Sequence, residues 1–600
     1  MIKRAEQRKE DTWAIEDLFP DDRAAEEAIG ALSAYRERLQ AFRGRLGESG
    51  ETLLSYFRLC DELGRAVDRV ANYALRRHDE DTANACYQGM RGKVLGLCAA
   101  IGEAGAFAEP ELLGLPDELI DRYLADTPGL AVYRRPIERL RARRAHILPE
   151  AQEALLASAA EPLQAADGIA SVLRDADLRF SSARDAAGQR YPVSQSNVIE
   201  LMRSPDRTLR RSAFRSLYRG FGSVRNTLAA CLDGEVKQAL FLTRARGYDS
   251  SLARALDGTE VPPEVYTGLI DTVRRHLAPL HRYMEVRRRI MGLAHLHMYD
   301  IYVPLVPSAD RRIPYEEAQQ TVLAALAPLG EEYLALLRRG FAERWIDVYP
   351  NEGKRSGAYS SAGIPHPYVL LNYTDTLDQV FTLAHEMGHA LHSCRSIAGQ
   401  PACTADYVIF VAEVASTCNE ALLMQYLLAR TTDRAERAYL INYFLEQFRT
   451  TLYRQTMFAE FELEMHRMSA AGETLTADAL SRAYGALNRA YYGDGVVSDP
   501  GIEDEWARIP HFFYDFYVYQ YATGFSAAIA LSRRILSGDP TAVSRYLAFL
   551  AGGSSKPPVE LLRDAGVDMT TPEPIEEALA FFDELITEFE MLMKDEESAK

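Results

Sequence analysis

Apolar residues recur three and four positions apart along most of the chain, in stretches that are rich in Ala, Leu, Glu and Arg. On an α-helix this spacing collects apolar side chains on one face, so the pattern predicts a mainly α-helical protein. Alternating runs of Val and Ile, which would indicate strands, are few. The clearest predicted helices cover residues 24–46, 51–77, 151–174 and 263–291.

Two segments interrupt this helical pattern. Between residues 179 and 196, the sequence Asp-Ala-Ala-Gly at 185–188 separates two short runs and predicts the turn of a β-hairpin. We place a domain boundary there, which gives an N-terminal helical lobe at 1–195 and a second domain at 196–600. Between residues 349 and 373, a loop rich in Gly and Pro precedes the apolar run 368–373, which predicts one buried or edge strand.

The composition is that of a folded protein, with 47% hydrophobic and 26% charged residues among 600. The formal net charge of −18 repels phosphate backbones, so we expect no nucleic-acid partner. No run of about eighteen apolar residues occurs, so we expect no membrane-spanning helix. Seven cysteines without CxxC spacing, and no apolar segment near the N-terminus that would serve as a signal peptide, indicate a reducing, cytoplasmic location.

The most informative segment contains His385, Glu386 and His389 in the pattern His-Glu-x-x-His, on an apolar helical background. Residues four apart on a helix lie on one face, so both histidines can bind one metal ion. Glu386 lies beside that face, where its carboxylate can take a proton from a water molecule on the metal. The alternative interpretation is a helix with two histidines in ordinary core contacts. We favour a zinc site because histidines crowded among apolar residues are costly without a partner.

A catalytic zinc ion usually has three protein ligands, so a third must come from another segment. Glu413 is the best candidate because it lies in an apolar helical stretch, where a carboxylate needs a cation; the alternative is an ion pair with Arg or Lys. His392 is disfavoured because a helix rises about 10 Å between it and the first histidine. Cys394 and Cys403 show no paired spacing. Glu420, two turns after Glu413, could orient a ligating histidine through its second ring nitrogen.

Further along the chain lies a group of aromatic residues with polar tips, namely His511, Tyr514, Tyr517 and Tyr521. Their spacing of three, three and four would place them in one stripe on a helix, from which Tyr519 deviates. Aromatic stripes are often core, but every member here carries a polar tip that needs a partner when it is buried. Such donors can stabilise the oxyanion that forms when an amide carbonyl is attacked. We therefore expect the stripe to face a substrate.

The predicted strand at 368–373 immediately precedes the histidine helix. If this strand lies at the edge of a sheet, an extended peptide could pair with its backbone beside the metal. The loop before it could close over a substrate because Gly357 and Gly363 permit unusual backbone angles. The alternative is an ordinary connecting loop.

Three blocks of sequence resemble oligoendopeptidase F, in the thimet-type group of zinc metallopeptidases. They are residues 383–393 around the two histidines, residues 412–420 around Glu413, and residues 508–524, which contain the polar aromatic stripe. Weaker similarities are found at 354–360, 246–248 and 565–568. The resemblance is strongest between about 353 and 530 and faintest in the first 150 residues.

This resemblance implies a fold, an activity and a set of roles. The fold is mainly α, with two helical lobes of the zincin type, a small β-sheet beside the zinc helix, and a deep substrate channel. The activity is endopeptidase cleavage of short unfolded oligopeptides by the domain at 196–600, with one zinc ion per chain. On this pattern His385, His389 and Glu413 match the zinc ligands, and Glu386 matches the general base. His511 and the tyrosines near it match the region that binds substrate and transition state.

Two other functions remain open from the sequence. A metallo-carboxypeptidase would release single C-terminal residues with the same metal chemistry. A non-catalytic helical protein that binds peptides around a structural zinc would need no base, and Glu386 beside the ligands argues against it. The sequence does not indicate the oligomeric state.

Overall fold

The computed structural model describes residues 2–306 and 312–599. Helices dominate this part of the chain, and the strands are only two or three residues long, which confirms the mainly α fold. None of the helices in the described ranges is both long and apolar enough to cross a membrane.

Residue contacts divide the chain into two compact units, each assembled from three segments. The first unit contains Met1–Glu150, Asp310–Tyr426 and Leu531–Gly566, and the second contains Ala151–Ala309, Leu427–Ala530 and Val567–Lys600. The domain boundary expected between 195 and 196 from the sequence stays a prediction.

The first unit is built mainly of helices around an apolar core that joins the N-terminal helices to a short sheet. In this core Trp13 packs edge-to-face on Tyr368, with ring centroids 6.2 Å apart. The α-helices of this unit are Asp22–Ala31, Ala34–Gln40, Gly50–Glu80, Ala85–Gly105, Ala108–Gly114, Asp117–Asp126, Arg134–Ala142, Tyr315–Ala325, Glu331–Ala342, Leu377–Gly399, Ala542–Leu550 and Pro558–Asp564. Three further helices, Glu150–Ser158, Ile409–Arg430 and Tyr519–Leu536, run from one unit into the other.

The sheet of the first unit has three strands. Tyr368–Leu370 is the central strand, parallel to Ile346–Asp347 and antiparallel to Tyr359–Ser361. The central strand is fully buried, as its apolar side chains require. The strand predicted at 368–373 therefore exists but is shorter, and its interpretation as an edge strand is wrong, because hydrogen bonds occupy both of its sides.

The second unit is organised along the 39-residue helix Arg207–Ala245, which begins where the Asp206 side chain accepts the backbone N–H groups of Thr208 and Leu209. Its other α-helices are Ala160–Leu163, Ala165–Val172, Val198–Arg203, Ser251–Asp257, Pro263–Arg275, Ala278–Ile290, Arg434–Gln447, Arg454–Ala470, Ala477–Tyr492 and Glu573–Ala599. Its strands are the predicted hairpin, Ala183–Arg184 with Arg190–Tyr191, and the parallel pair Leu296–His297 with Val496–Val497.

Some predicted helices are divided in the structure. The predicted helix at 263–291 breaks between Arg275 and Ala278, where Pro279 occupies the first turn of the following helix. Proline lacks the N–H that would continue the hydrogen-bonded ladder, but its fixed φ suits a first turn. The apolar periodicity continues across this break, so it could not mark the position.

Candidate metal centre

His385 and His389 lie on the helix Leu377–Gly399, which belongs to the first unit. The helix begins at Thr376, whose side chain accepts the backbone N–H of Gln379. This is an ordinary N-cap, which satisfies one of the free N–H groups of a first turn. The two imidazole rings are 4.9 Å apart and nearly perpendicular, so both point toward one place beside the helix.

Glu413 reaches the same place from the neighbouring helix Ile409–Arg430. Its Oε2 lies 3.5 Å from Nε2 of His385 and 3.8 Å from Nε2 of His389. The three candidate ligand atoms all lie within 4.8 Å of one another. Ligands bound at about 2.1 Å around a tetrahedral zinc ion lie roughly 3.4 Å apart. The donor set of two nitrogens and one carboxylate oxygen therefore fits a zinc ion with little adjustment.

Glu420 contacts the ring nitrogen of His385 that does not face Glu413. Its Oε1 lies 2.5 Å from Nδ1 of His385, which leaves Nε2 of that ring turned toward Glu413. Burial opposes protonation of His385, but the hydrogen bond and the charge of Glu420, with those of Glu386 and Glu413, raise its pKa to about 9. Such a carboxylate fixes the ring orientation and the tautomer of a metal-binding histidine.

A glycine allows the two helices to approach. A Cβ atom built on Gly388 would lie 2.6 Å from Cα of Ser416 and 2.9 Å from the carbonyl oxygen of Ala415. Both neighbours are backbone atoms, which cannot move away without moving the helix. Asn419 adds a tie because its side-chain amide donates to the carbonyl oxygen of Ala384. The sequence reasoning missed Gly388, although a glycine inside an apolar helical pattern is a signal of close packing.

Glu386 is 7% exposed and lies between the two histidines in sequence. Burial, opposed by the positive charge of His385 and aided by the charges of Glu413 and Glu420, raises its pKa to about 7. The backbone N–H of Ser360, on the strand Tyr359–Ser361, interacts with the Glu386 carboxylate. A carboxylate with a pKa near neutrality can both accept and return a proton.

The strand expected from the sequence is the central strand of the sheet beside the helix Leu377–Gly399, and the strand that borders Glu386 is Tyr359–Ser361. Within the described part of the chain it pairs with the central strand only, so it is an edge strand. Its place could not be predicted because Tyr-Ser-Ser carries no strong strand pattern.

His392 lies outside the group of candidate ligands. It is fully buried and stacks on Tyr407, with ring centroids 3.7 Å apart. Burial lowers its pKa to about 3, so the ring is neutral. Its position agrees with the expectation that a straight helix carries it away from the metal.

The polar aromatic stripe belongs to the second unit and does not form one helix, so that part of the prediction is wrong. His511 lies in the short 3-10 helix Pro510–Phe513, and the next helix begins only at Tyr519. The four side chains still form a cluster: the His511 ring lies 5.7 to 6.1 Å from the rings of Tyr514, Tyr517 and Tyr521. The Tyr521 hydroxyl lies 3.5 Å from Nε2 of His511. Tyr519 is buried against Tyr266, which agrees with its exclusion from the stripe.

The turn inside this aromatic cluster has an unusual backbone. Asp515 and Phe516 have φ angles of 43° and 60°, in the left-handed region that residues other than glycine rarely adopt. Two groups from neighbouring helices hold it: Oε1 of buried Glu462 accepts the Phe516 N–H at 2.6 Å, and Arg254 pairs with Asp515 at 2.6 Å. The Phe516 ring packs on His466, at 4.4 Å between centroids. Strained backbone of this kind is maintained only where surrounding contacts fix it.

Comparison with known proteins gives a consistent result. The model of peptidase family M3 matches residues 200–581, and the model described as Oligopeptidase F matches residues 111–180. The chain is 43% identical over 597 residues to Oligopeptidase PepF of Bacillus subtilis, covering 99% of this chain and 89% of that protein. It is 39% identical to Group B oligopeptidase PepB of Streptococcus agalactiae, covering 97% of each. The crystal structure of oligoendopeptidase-F from Enterococcus faecium is 37% identical, with a TM-score of 0.76, and covers 96% of this chain and 99% of that one.

Proposed function

The chain belongs to peptidase family M3 and is a metallopeptidase; on that premise we propose that its metal is zinc and that it cleaves internal bonds of short, unfolded oligopeptides. The observation that carries the proposal is the meeting of His385, His389 and Glu413, with Glu386 beside them. The printed names of the similar proteins support oligopeptides as the substrate class.

His385, His389 and Glu413 are the residues that would hold the metal, and Glu420 orients His385. When bound, a zinc ion supplies Lewis-acid polarisation of the substrate carbonyl and lowers the pKa of water. With both histidines in the neutral form that binds metal, Glu413 gives the donor set of three residues one negative charge, which suits a divalent cation.

Glu386 is the proposed general base. Its carboxylate accepts the proton of the attacking water and returns it to the leaving amine, which a pKa of about 7 permits in both directions. Its low exposure limits competition from bulk water for that proton.

The edge strand Tyr359–Ser361 is the proposed docking site for the peptide backbone. Main-chain hydrogen bonds to an edge strand hold an extended peptide without selecting for particular side chains. Ser360 borders Glu386, so a peptide on this strand lies beside the base. This arrangement supports broad sequence tolerance for the residues that flank the scissile bond.

We assign His511, Tyr514, Tyr517 and Tyr521 to substrate and transition-state binding. Burial and the charge of Arg454 lower the pKa of His511, so its ring is neutral near pH 7 and offers one N–H and one acceptor. Hydroxyls of the tyrosines would donate to the oxyanion of the attacked carbonyl.

A cytoplasmic location is part of the proposal. All seven cysteines are free thiols, which suits a reducing compartment. Cell fractionation with an antibody to the chain tests it, and recovery outside the cytoplasmic fraction would contradict it.

Two substitutions test the metal and base assignments together. Glu386→Gln should keep zinc, measured by elemental analysis, and lose about 100- to 10,000-fold in kcat on a quenched peptide. Glu413→Ala should lose both zinc and activity. The matched control is Glu331→Gln, at an exposed residue of the same unit, which should change neither. Near-normal turnover of Glu386→Gln, or full zinc retention by Glu413→Ala, would overturn the corresponding role.

A further inference from the structure

The second unit contains a pocket of about 300 Å³ between the helix Arg207–Ala245 and the chain around the strand Ala183–Arg184. All nine residues that line it are arginine, serine or threonine. Carboxylates are absent from this lining, although the whole chain carries a net charge of −18. Chance placement of surface residues in an acidic protein does not favour such a composition.

The helix Arg207–Ala245 and the hairpin strand Ala183–Arg184 bring the charges together. Arg211, Arg215 and Arg219 are spaced by four along the first turns of the helix, so they lie on one face. Arg184 joins them from the strand. All four side chains are exposed, and within residues 2–306 and 312–599 none of them forms an ion pair. Four guanidinium groups thus face one space without a neutralising partner.

Hydroxyl groups complete the lining, and hydrogen bonds fix several of them. The Ser212 hydroxyl accepts the backbone N–H of Arg184 at 2.9 Å. The buried Ser216 hydroxyl donates to the carbonyl oxygen of Ser181 and lies 3.1 Å from the hydroxyl of that residue. These contacts join the hairpin to the helix, so the floor of the pocket is ordered without any ligand.

The carboxylates nearest in sequence to these arginines already accept hydrogen bonds from neighbouring residues. Asp206 accepts three backbone N–H groups, from Ala186, Thr208 and Leu209. Asp185 accepts the N–H of Gln189 and the Tyr191 hydroxyl. Neither carboxylate lines the pocket, so an external anion can pair with the arginines.

We propose that this pocket binds a small anion with two or more phosphate charges, such as a pyrophosphate group, through Arg184, Arg211, Arg215 and Arg219. Guanidinium groups match phosphate oxygens in pairs of parallel hydrogen bonds, and hydroxyls add donors around them. The volume is at the lower end of the usual range for small-ligand sites, roughly 300–1,000 Å³, so it suits a compact ligand. The inference does not depend on the peptidase activity.

The test is calorimetric titration of the full chain with sodium pyrophosphate, at low and at raised ionic strength. We expect binding that weakens with salt, and a loss of at least about tenfold in affinity for Arg211→Ala/Arg215→Ala. The control is Arg91→Ala/Arg122→Ala, which removes the same charge from exposed positions on two helices of the first unit and should bind as the parent does. Arg211→Lys/Arg215→Lys keeps the positive charges but loses the paired N–H donors of the planar guanidinium groups, so this variant should bind pyrophosphate with intermediate affinity.

Three results would overturn the proposal. They are no binding by the parent, equal binding by the parent and the Ala pair, and an equal loss in the control pair. Because pyrophosphate also binds metal ions, binding of undiminished affinity in the Ala pair would be assigned to the metal site. ATP as a second titrant distinguishes a nucleotide from free pyrophosphate, since a nucleotide site binds it more tightly. Sodium acetate, a carboxylate that is not a peptide, should not bind; binding as tight as that of pyrophosphate would contradict the phosphate assignment.

Discussion

The tyrosines around His511 differ in their surroundings, and the difference assigns them different roles. Tyr517 and Tyr521 are half-buried and lie 5.6 Å apart, ring to ring, while Tyr519 between them is buried against Tyr266. A hydroxyl that remains at a surface can meet a substrate, whereas a buried one cannot. Tyr517 and Tyr521 are therefore better candidates for oxyanion donors than Tyr519.

Tyr517→Phe and Tyr521→Phe test this assignment. For the tyrosine that holds the oxyanion, kcat should fall by roughly 100-fold, because one preorganised donor is lost only in the transition state. KM should change less. Tyr519→Phe is the control and should behave as the parent does. Steady-state kinetics with one quenched peptide provide the comparison, and unchanged kcat in both variants would leave the cluster with a packing role only.

At the level of single residues, the sequence was informative where a short local spacing determines the contact. His385, His389 and Glu386 follow from helix geometry, and Glu413 follows from the cost of a carboxylate in an apolar stretch. Ser360 could not be predicted, because its place beside Glu386 arises from the packing of the strand Tyr359–Ser361 against the helix Leu377–Gly399. Glu462 could not be predicted either, since its partner Phe516 is 54 residues away.

Among the elements, the pair of helices Leu377–Gly399 and Ile409–Arg430 brings the candidate metal ligands together. Their separation at Gly388 is too small for a side chain, so the ligand distances depend on this one glycine. The sequence predicted both helices and their ligands but not their closeness, because packing distance is a tertiary property.

Gly388→Ala should force the two helices apart. Overpacking of this kind costs about 1–3 kcal/mol, so we expect a lower Tm and a lower zinc content after dialysis. Gly96→Ala is the matched control, since a Cβ at that helical glycine meets no atom within 4 Å and Ala favours helix. Thermal unfolding and elemental analysis of both variants decide the matter. Normal zinc content in Gly388→Ala would show that the glycine does not set the site.

The turn at Asp515 and Phe516 is held by Glu462, a buried glutamate that accepts the Phe516 N–H. Burial, opposed by the Phe516 N–H and aided by the charge of Asp515, raises the pKa of Glu462 to about 8. In the unfolded chain the pKa of a glutamate is about 4.3. The folded protein therefore holds a proton that the unfolded chain releases, and stability should fall as the pH rises from about 5 to 8.

Glu462→Gln removes this contribution, because the amide is neutral at every pH. The difference in Tm between pH 5 and pH 8 should be smaller in this variant than in the parent. Glu464→Gln, at an exposed position of the same helix, should keep the parent's dependence. Identical pH dependence in all three proteins would contradict a protonated Glu462.

For the whole molecule, the helical pattern predicted the fold class, and the motif order predicted the family. The pattern could not show that each compact unit combines three separate segments, because contacts between distant segments leave no periodic signal. Charge is also unevenly distributed over the molecule, since the arginine pocket lies in a chain whose net charge is −18. Net charge therefore describes the average surface and not the individual sites.

The central claim is metal-dependent cleavage inside short peptides, and one digest tests it most directly. A ten-residue peptide is incubated with the enzyme, with and without a chelator, and the products are identified by mass spectrometry. We predict pairs of internal fragments that disappear with the chelator and return with added zinc. A ladder of single C-terminal losses would identify a carboxypeptidase instead, and cleavage that persists with the chelator, or no cleavage in either sample, would contradict the account.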